Sequence, residues 1–259
     1  MRKDLVRQWA NVAATVVMIV VNILANALPI NNLDTGEIAD RFEVYFVPAG
    51  YVFSIWGLIY LLLGIFTIYQ ALPAQRKNVL LRRIGYWYVL SSLANTAWIF
   101  LWHYEQFPLS IIAMLTLLVS LIVIYLRLGI GLVQLPTTVK WALHIPFSVY
   151  LGWITVATIA NVTSVLYYVD WGGWGIGPVV WTVIMLVVAT AVAALVSFTR
   201  GDIGYIAVIV WAFVGIAVKH WDTPAVAITA LVLALVAAAT LIWGVPRARA
   251  RRVPLEPAP

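Results

Sequence analysis

Residues 47–64 read Val-Pro-Ala-Gly-Tyr-Val-Phe-Ser-Ile-Trp-Gly-Leu-Ile-Tyr-Leu-Leu-Leu-Gly, and within them an acidic loop turns through Pro48-Ala49-Gly50 into an uncharged aromatic helix. Pro and Gly punctuate the turn, and the absence of charge beyond it suits a helix surrounded by hydrocarbon. The junction therefore marks a membrane boundary. Trp56, Tyr60 and Gly64 stand at i, i+4 and i+8, which puts them on one face of that helix.

The rest of the chain agrees. Of its 259 residues 64% are hydrophobic and 10% charged, with a mean hydropathy of +0.98, too apolar for a soluble domain. Apolar segments near 9–29, 50–72, 84–103, 108–126, 141–165, 177–198, 203–219 and 224–244 each approach or exceed the length that crosses roughly 30 Å of hydrocarbon at 1.5 Å per residue. Pro48, Pro73, Pro108, Pro136, Pro178, Pro224 and Pro246 fall near their ends. The expected fold is all-α, a polytopic membrane helical bundle of about eight transmembrane helices with no soluble domain. The absence of Cys excludes disulfides, thiol catalysis and iron–sulfur ligation.

The charges set a direction. Fourteen Lys and Arg fall on one side of the eight segments, in 2–7, 76–83, 127–140, Arg200 and 247–252, and only Arg41 and Lys219 on the other. This asymmetry predicts cytoplasmic N and C termini, a basic cytoplasmic tail over 246–259 and residence in the plasma membrane. It accounts for the net charge of +6 without nucleic acid as a partner, since no basic-aromatic stripe tracks a phosphate backbone. The outer end collects Asp34, Glu37, Asp40, Glu43, Glu105, Asp170 and Asp222. Ala25-Asn26-Ala27 resembles a signal-peptide cleavage site, but Asn11 and Asn22 interrupt the apolar run, so an uncleaved first span is expected.

No Asp, Glu or Arg lies within a span away from its ends, which argues against proton pumps and carboxylate-driven transporters. Lys219, beside His220, Trp221 and Asp222, reads as interfacial rather than as a Schiff-base lysine. His144 lies near the inner end and His103 and His220 near the outer one, so interfacial hydrogen bonding is the default reading for all three; no metal site is expected. Ile84-Gly85-Tyr86 and Ile203-Gly204-Tyr205, with Trp102-His103-Tyr104 and Lys219-His220-Trp221, suggest a four-plus-four duplication, against which stands chance similarity between apolar helices.

Many of the 13 Trp are explained as interfacial anchors. Others pair with polar residues at helical spacing: Asn95 with Trp98, and Trp153 with Ala157 and Asn161. Counted from the outer end, Trp56, Asn95, Trp98 and Asn161 lie about 6–12 Å deep and Trp153 about 18 Å. Amides at such depth must face the bundle interior, either bonding other helices or meeting a ligand.

At these residues the chain resembles the TspO/translocator-protein family, also called tryptophan-rich sensory proteins or peripheral-type benzodiazepine receptors. Residues 47–64 match the family's loop-to-helix motif through Trp56, Tyr60 and Gly64, Asn95-Thr96-Ala97-Trp98 matches its third-helix motif, and Trp153 with Asn161 its fifth-helix pair. Ala49 and Ser54 stand where the family has Pro, Phe53 is one residue nearer to Trp56, and Pro146-Phe147 lies three residues further upstream of its Trp. The resemblance covers residues 1–168, a TspO-like five-helix core, so 169–245 are read as three additional helices and a partial internal repeat. It implies a receptor or carrier with a sensory, regulatory or transport role that binds a porphyrin, or in some members a sterol or benzodiazepine-like drug. Trp56, Tyr60, Asn95, Trp98, Trp153, Ala157 and Asn161 are its expected ligand-binding residues. No cofactor is required, no catalytic residue is assigned, and the partners are the lipid bilayer, a hydrophobic small molecule and a second copy of the chain as a homodimer. Two alternatives stand beside this: a transporter of amphiphiles built from two four-helix halves, and light-dependent porphyrin degradation. A sterol-type pattern, Val123-x-Tyr125-x-Arg127, ends the fourth span.

Overall fold

The structure, a computed structural model, describes residues 2–28 and 30–254 apart from the side chain of Asn32; Pro29 of the first expected span and 255–259 of the expected tail lie outside the described residues. It is all-α in its main elements: α1 (Arg2–Ala27), α2 (Thr35–Asp40), α3 (Ile55–Ala71), α4 (Val79–Ile84), α5 (Trp87–His103), α6 (Phe107–Arg127), α7 (Thr137–Val139), α8 (Ile145–Tyr168), α9 (Pro178–Arg200), α10 (Ile203–Lys219) and α11 (Pro224–Ala250). Six helical stretches are long and apolar enough to cross a membrane; α5 and α10, each of 17 residues, complete the eight expected long segments.

Local chemistry explains the ends. Proline in the first turn opens α6, α9 and α11, where its missing N–H costs nothing. Asp34 and Glu37 form a capping box on α2, and Asp202 caps α10. A π-helical turn, Lys140–His144, precedes Pro146 and joins α7 to α8. Two expectations shift. Pro246 lies inside α11 rather than at its end, because Ala248, buried against Gly201, holds the final turns. Gly85, at φ 60, separates α4 from α5, whereas Gly204 sits in the first turn of α10, so the two Ile-Gly-Tyr triplets adopt different structures. A two-residue parallel pairing of β1 (Val133–Gln134) with β2 (Val253–Pro254) ties the C-terminal segment to the α6–α7 loop.

α1 is amphipathic in reverse. Asp4, Arg7, Gln8, Asn11, Thr15 and Asn22 recur at helical spacing and are buried, while Val6, Trp9, Val16, Val17, Val20 and Ile23 are exposed. The exposed face suits lipid. Most of the polar face is bonded within the bundle: Asp4 bridges Arg7 and Arg82, Gln8 Nε2 donates to Gln70 O at 2.6 Å, and Thr15 Oγ1 lies 2.8 Å from Thr67 Oγ1 and 2.7 Å from Tyr88 OH, while Arg7 Nε and Asn11 Oδ1 are buried without a partner among the described residues. Between helices bathed in lipid such bonds and close packing replace the hydrophobic drive. Tyr125 is turned inward too: its OH donates to Asp202 at 2.9 Å, so the sterol-type pattern at the end of α6 does not present its tyrosine to lipid.

α10 is a central element. A Cβ on Gly152 of α8 would lie 3.1 Å from Tyr205 O, and one on Gly215 would overlap Val52 Cγ2 with Pro48 Cβ at 3.1 Å. Ala49 N donates to Gly215 O and Trp211 Nε1 to Val52 O, each at 3.1 Å. The hinge at 47–54 is thus held by a helix from beyond residue 168.

Thr15→Val should lower stability by about 0.6–2 kcal/mol, read as the denaturation midpoint in detergent, while Val16→Thr on the exposed face should leave it nearly unchanged. Gly215→Ala should cost about 1–3 kcal/mol by overpacking and should speed amide exchange across 47–54.

Candidate functional site

Beneath the 30–47 segment lies a cavity of about 730 Å³ bounded by α1, α2, the hinge, α3 and α5. Phe53, Trp56, Tyr60 and Trp98 form its aromatic wall, Asn22 and Asn26 add amides, and Asp34, Thr35, Glu37 and Asp40 line its roof. The rings of Trp56 and Tyr60 stack at 5.6 Å and 26°, a consequence of their i, i+4 spacing on α3. Trp153 presents its edge to Phe53 at 5.7 Å and to Trp56 at 6.2 Å, fixing the wall from behind.

Of the residues singled out from sequence, Trp56, Tyr60 and Trp98 line the cavity together. Asn95 stands one layer back, 1% exposed, accepting from Asn22 Nδ2 at 2.7 Å and donating to Tyr150 OH at 3.0 Å. Trp153 is also buried, and its indole N–H has no partner. Ala157 packs against the core. Asn161 lies apart from the cavity wall: its Nδ2 donates to Ser110 Oγ at 2.9 Å, joining α8 to α6. An amide in an apolar bundle takes the nearest polar neighbour, and Asn161 found one on the next helix. Asn22, Asn26 and Phe53 were missed as wall residues. The signal for the first two was an i, i+4 amide pair in an otherwise apolar run.

The roof is clamped from both sides. His103 Nε2 lies 3.0 Å from Thr35 Oγ1 and its Nδ1 3.1 Å from Ile30 O, while Trp102 Nε1 donates to Thr35 O at 3.3 Å. Ile38, Phe42, Val44 and Val47 bury themselves against Trp102, Phe107 and Val165 in a small core of their own. On the other side His220 Nε2 donates to Val47 O at 3.3 Å with Tyr45 against its ring, and Lys219 pairs with Asp40 at 2.5 Å. Arg41 pairs with Glu105 at 2.6 Å. His103 and His220 therefore both act as hydrogen-bonding pins on the roof. Among the described residues no group of three His, Asp or Glu side chains is arranged to hold a metal. The arrangement suits a flat apolar molecule: indole and phenol faces to stack on, amides at an edge, and a roof that partly covers the opening.

A family model described as TSPO-like protein matches residues 8–243, a stretch that takes in α9, α10 and most of α11 as well as the first five long helices. No curated protein and no solved structure matches the chain.

Burial, with the neighbouring Lys219 charge, pushes the His220 imidazole below its ordinary 6.5, against the opposing pull of its bond to Val47 O. A lowered folded value means that protonation weakens the clamp, whose contribution is complete above 6.5 and is lost as pH falls below it. The protection of amides at residues 44–50, exchange rate relative to the intrinsic rate at each pH, should fall between neutral and mildly acidic pH, and His220→Gln should flatten that dependence.

Proposed function

The chain belongs to the TSPO-like protein family, and from that premise we propose that it is a membrane receptor or carrier whose roofed cavity takes a planar hydrophobic ligand, a porphyrin first among candidates. The observation that carries this reading is the stacked Trp56–Tyr60 pair lining, with Trp98, a cavity of about 730 Å³, a volume within the roughly 300–1,000 Å³ usual for small-molecule sites. Flat faces of this kind stack on a flat macrocycle. Asn22, held by Asn95, supplies a polar group for its edge.

In this reading Asn95 and Trp153 are positioning residues, and Asn161 holds helices together. Residues 1–168 form the ligand-binding unit, and α10 braces its hinge through Gly215 and Trp211. The termini face the cytoplasm and the roof faces outward, as the division of Lys and Arg favours.

Titrating the purified protein with protoporphyrin should quench Trp emission saturably. Trp56→Ala and Trp98→Ala should each weaken binding by about tenfold, whereas Asn161→Ala should lower stability and leave affinity within about twofold. A flat titration, or binding indifferent to both Trp substitutions, overturns the proposal.

A further inference from the structure

The cavity roof carries more negative charge than its caps need, since neutral Asn and Gln can fill the capping roles of Asp34 and Glu37. Asp34, Glu37 and Asp40 line it, and no Lys or Arg does. Of the two cations of that end, Lys219 neutralises Asp40 and Arg41 pairs with Glu105, so neither reaches Asp34 or Glu37. Asp34 Oδ1 accepts from Gly36 N and Glu37 N, and Glu37 Oε2 from Asp34 N; Asp34 Oδ2 and Glu37 Oε1 have no partner among the described residues. Asp34 and the exposed Glu37 therefore line the cavity with no cationic partner among the described residues, and Glu43, Asp170 and Asp222 add to the negative charge of that end.

The floor gives a second, independent pointer to a ligand. Asn22 is 2% exposed and lines the cavity; both its N–H bonds are committed, to Met18 O and Asn95 Oδ1, and its side-chain oxygen has no partner among the described residues. The faces of Trp56 and Tyr60 are electron-rich and attract cations rather than anions. The Asn22 acceptor, the carboxylates and the π faces favour the same sign of charge, the unpartnered Trp98 indole N–H being left for an acceptor on the ligand's body, and a ligand with carboxylates at the mouth would meet repulsion from Asp34 and Glu37.

We propose that the ligand of this cavity is an organic cation: a flat apolar body that stacks on Trp56 and Tyr60, with an ammonium or other protonated nitrogen held under Asp34 and Glu37. The proposal rests on the cavity being a ligand site, and it narrows the choice of ligand by charge.

One macrocycle in three charge states tests it: protoporphyrin as the dicarboxylic acid, as the dimethyl ester, and as a bis(aminoethyl) amide. At about 0.01 M salt, where charges act over roughly 30 Å, the diamine should bind about tenfold tighter than the acid, with the ester between them; at about 0.15 M the spread should shrink. The Asp34→Asn, Glu37→Gln double variant keeps both caps, since Asn and Gln serve the same capping roles. It should erase the preference without moving the ester's affinity. A dicarboxylate that binds as tightly as the diamine, or a preference that survives the double variant, overturns the proposal. Should none of the three rings bind, the porphyrin reading alone fails, and 9-aminoacridine decides the charge: saturable binding that weakens about tenfold in the double variant supports the cation site, and binding absent or indifferent to it overturns the site.

Discussion

A polar group inside hydrocarbon must find its partner within the protein, and this constraint organises the bundle from α1 outward. Lipid competes for apolar surface as well as another helix does, so Val and Ile on α1 carry no instruction about which helix to join. The instruction lies in Gln8, Asn11, Thr15 and Asn22, each of which is matched by a group on α3 or α5. The same stripe ends at the cavity. Asn22, orienting Asn95 and through it Tyr150, is both the last rung of the ladder and a wall residue of the site. Helix docking and the lining of the cavity are coupled there, because the amide that docks α1 also decides which acceptor the cavity presents.

Close approach is the second organising element, and it comes from helices that the motif residues do not reach. Gly152 and Gly204 let α8 and α10 meet backbone to side chain, and Gly215 lets Pro48 and Val52 settle on α10. The hinge that first marked a membrane boundary is therefore not a free turn. Its backbone is bonded to Gly215, and Trp211 reaches back to Val52 O. With His103 and His220 pinning the roof from α5 and from the end of α10, the segment over the cavity is held by elements from both parts of the chain.

Part of the candidate cavity's wall was legible because helical spacing is rigid. Trp56 and Tyr60 at i, i+4 had to share a face, and they stack. Depth along a helix could be counted as well, which placed Trp98 near them. Rotation about each helix axis could not. Asn95 and Trp98 belong to one motif, yet Trp98 reaches the cavity while Asn95 stands behind Asn22. Asn161 shared the depth and the residue type, and Ser110 on α6 claimed it. An amide in an apolar segment announces that a partner exists without saying whether that partner is a helix or a ligand.

By itself the sequence determined the features that hydropathy and charge dictate: an all-α membrane bundle, the approximate ends of its helices, one basic and one acidic end, and the aromatic face of α3. These are one-dimensional properties, carried by composition and by a period of 3.6 residues. Only the tertiary structure decided which polar residues pair with each other, that Gly215 and Trp211 brace the hinge, and that Asp34 and Glu37 overhang the aromatic wall with their charge uncompensated. Those facts depend on distances between residues far apart in the chain, such as the 173 positions between Val47 and His220. No local pattern encodes such a distance; it is set where side chains of several helices must fill one space and satisfy one another at once.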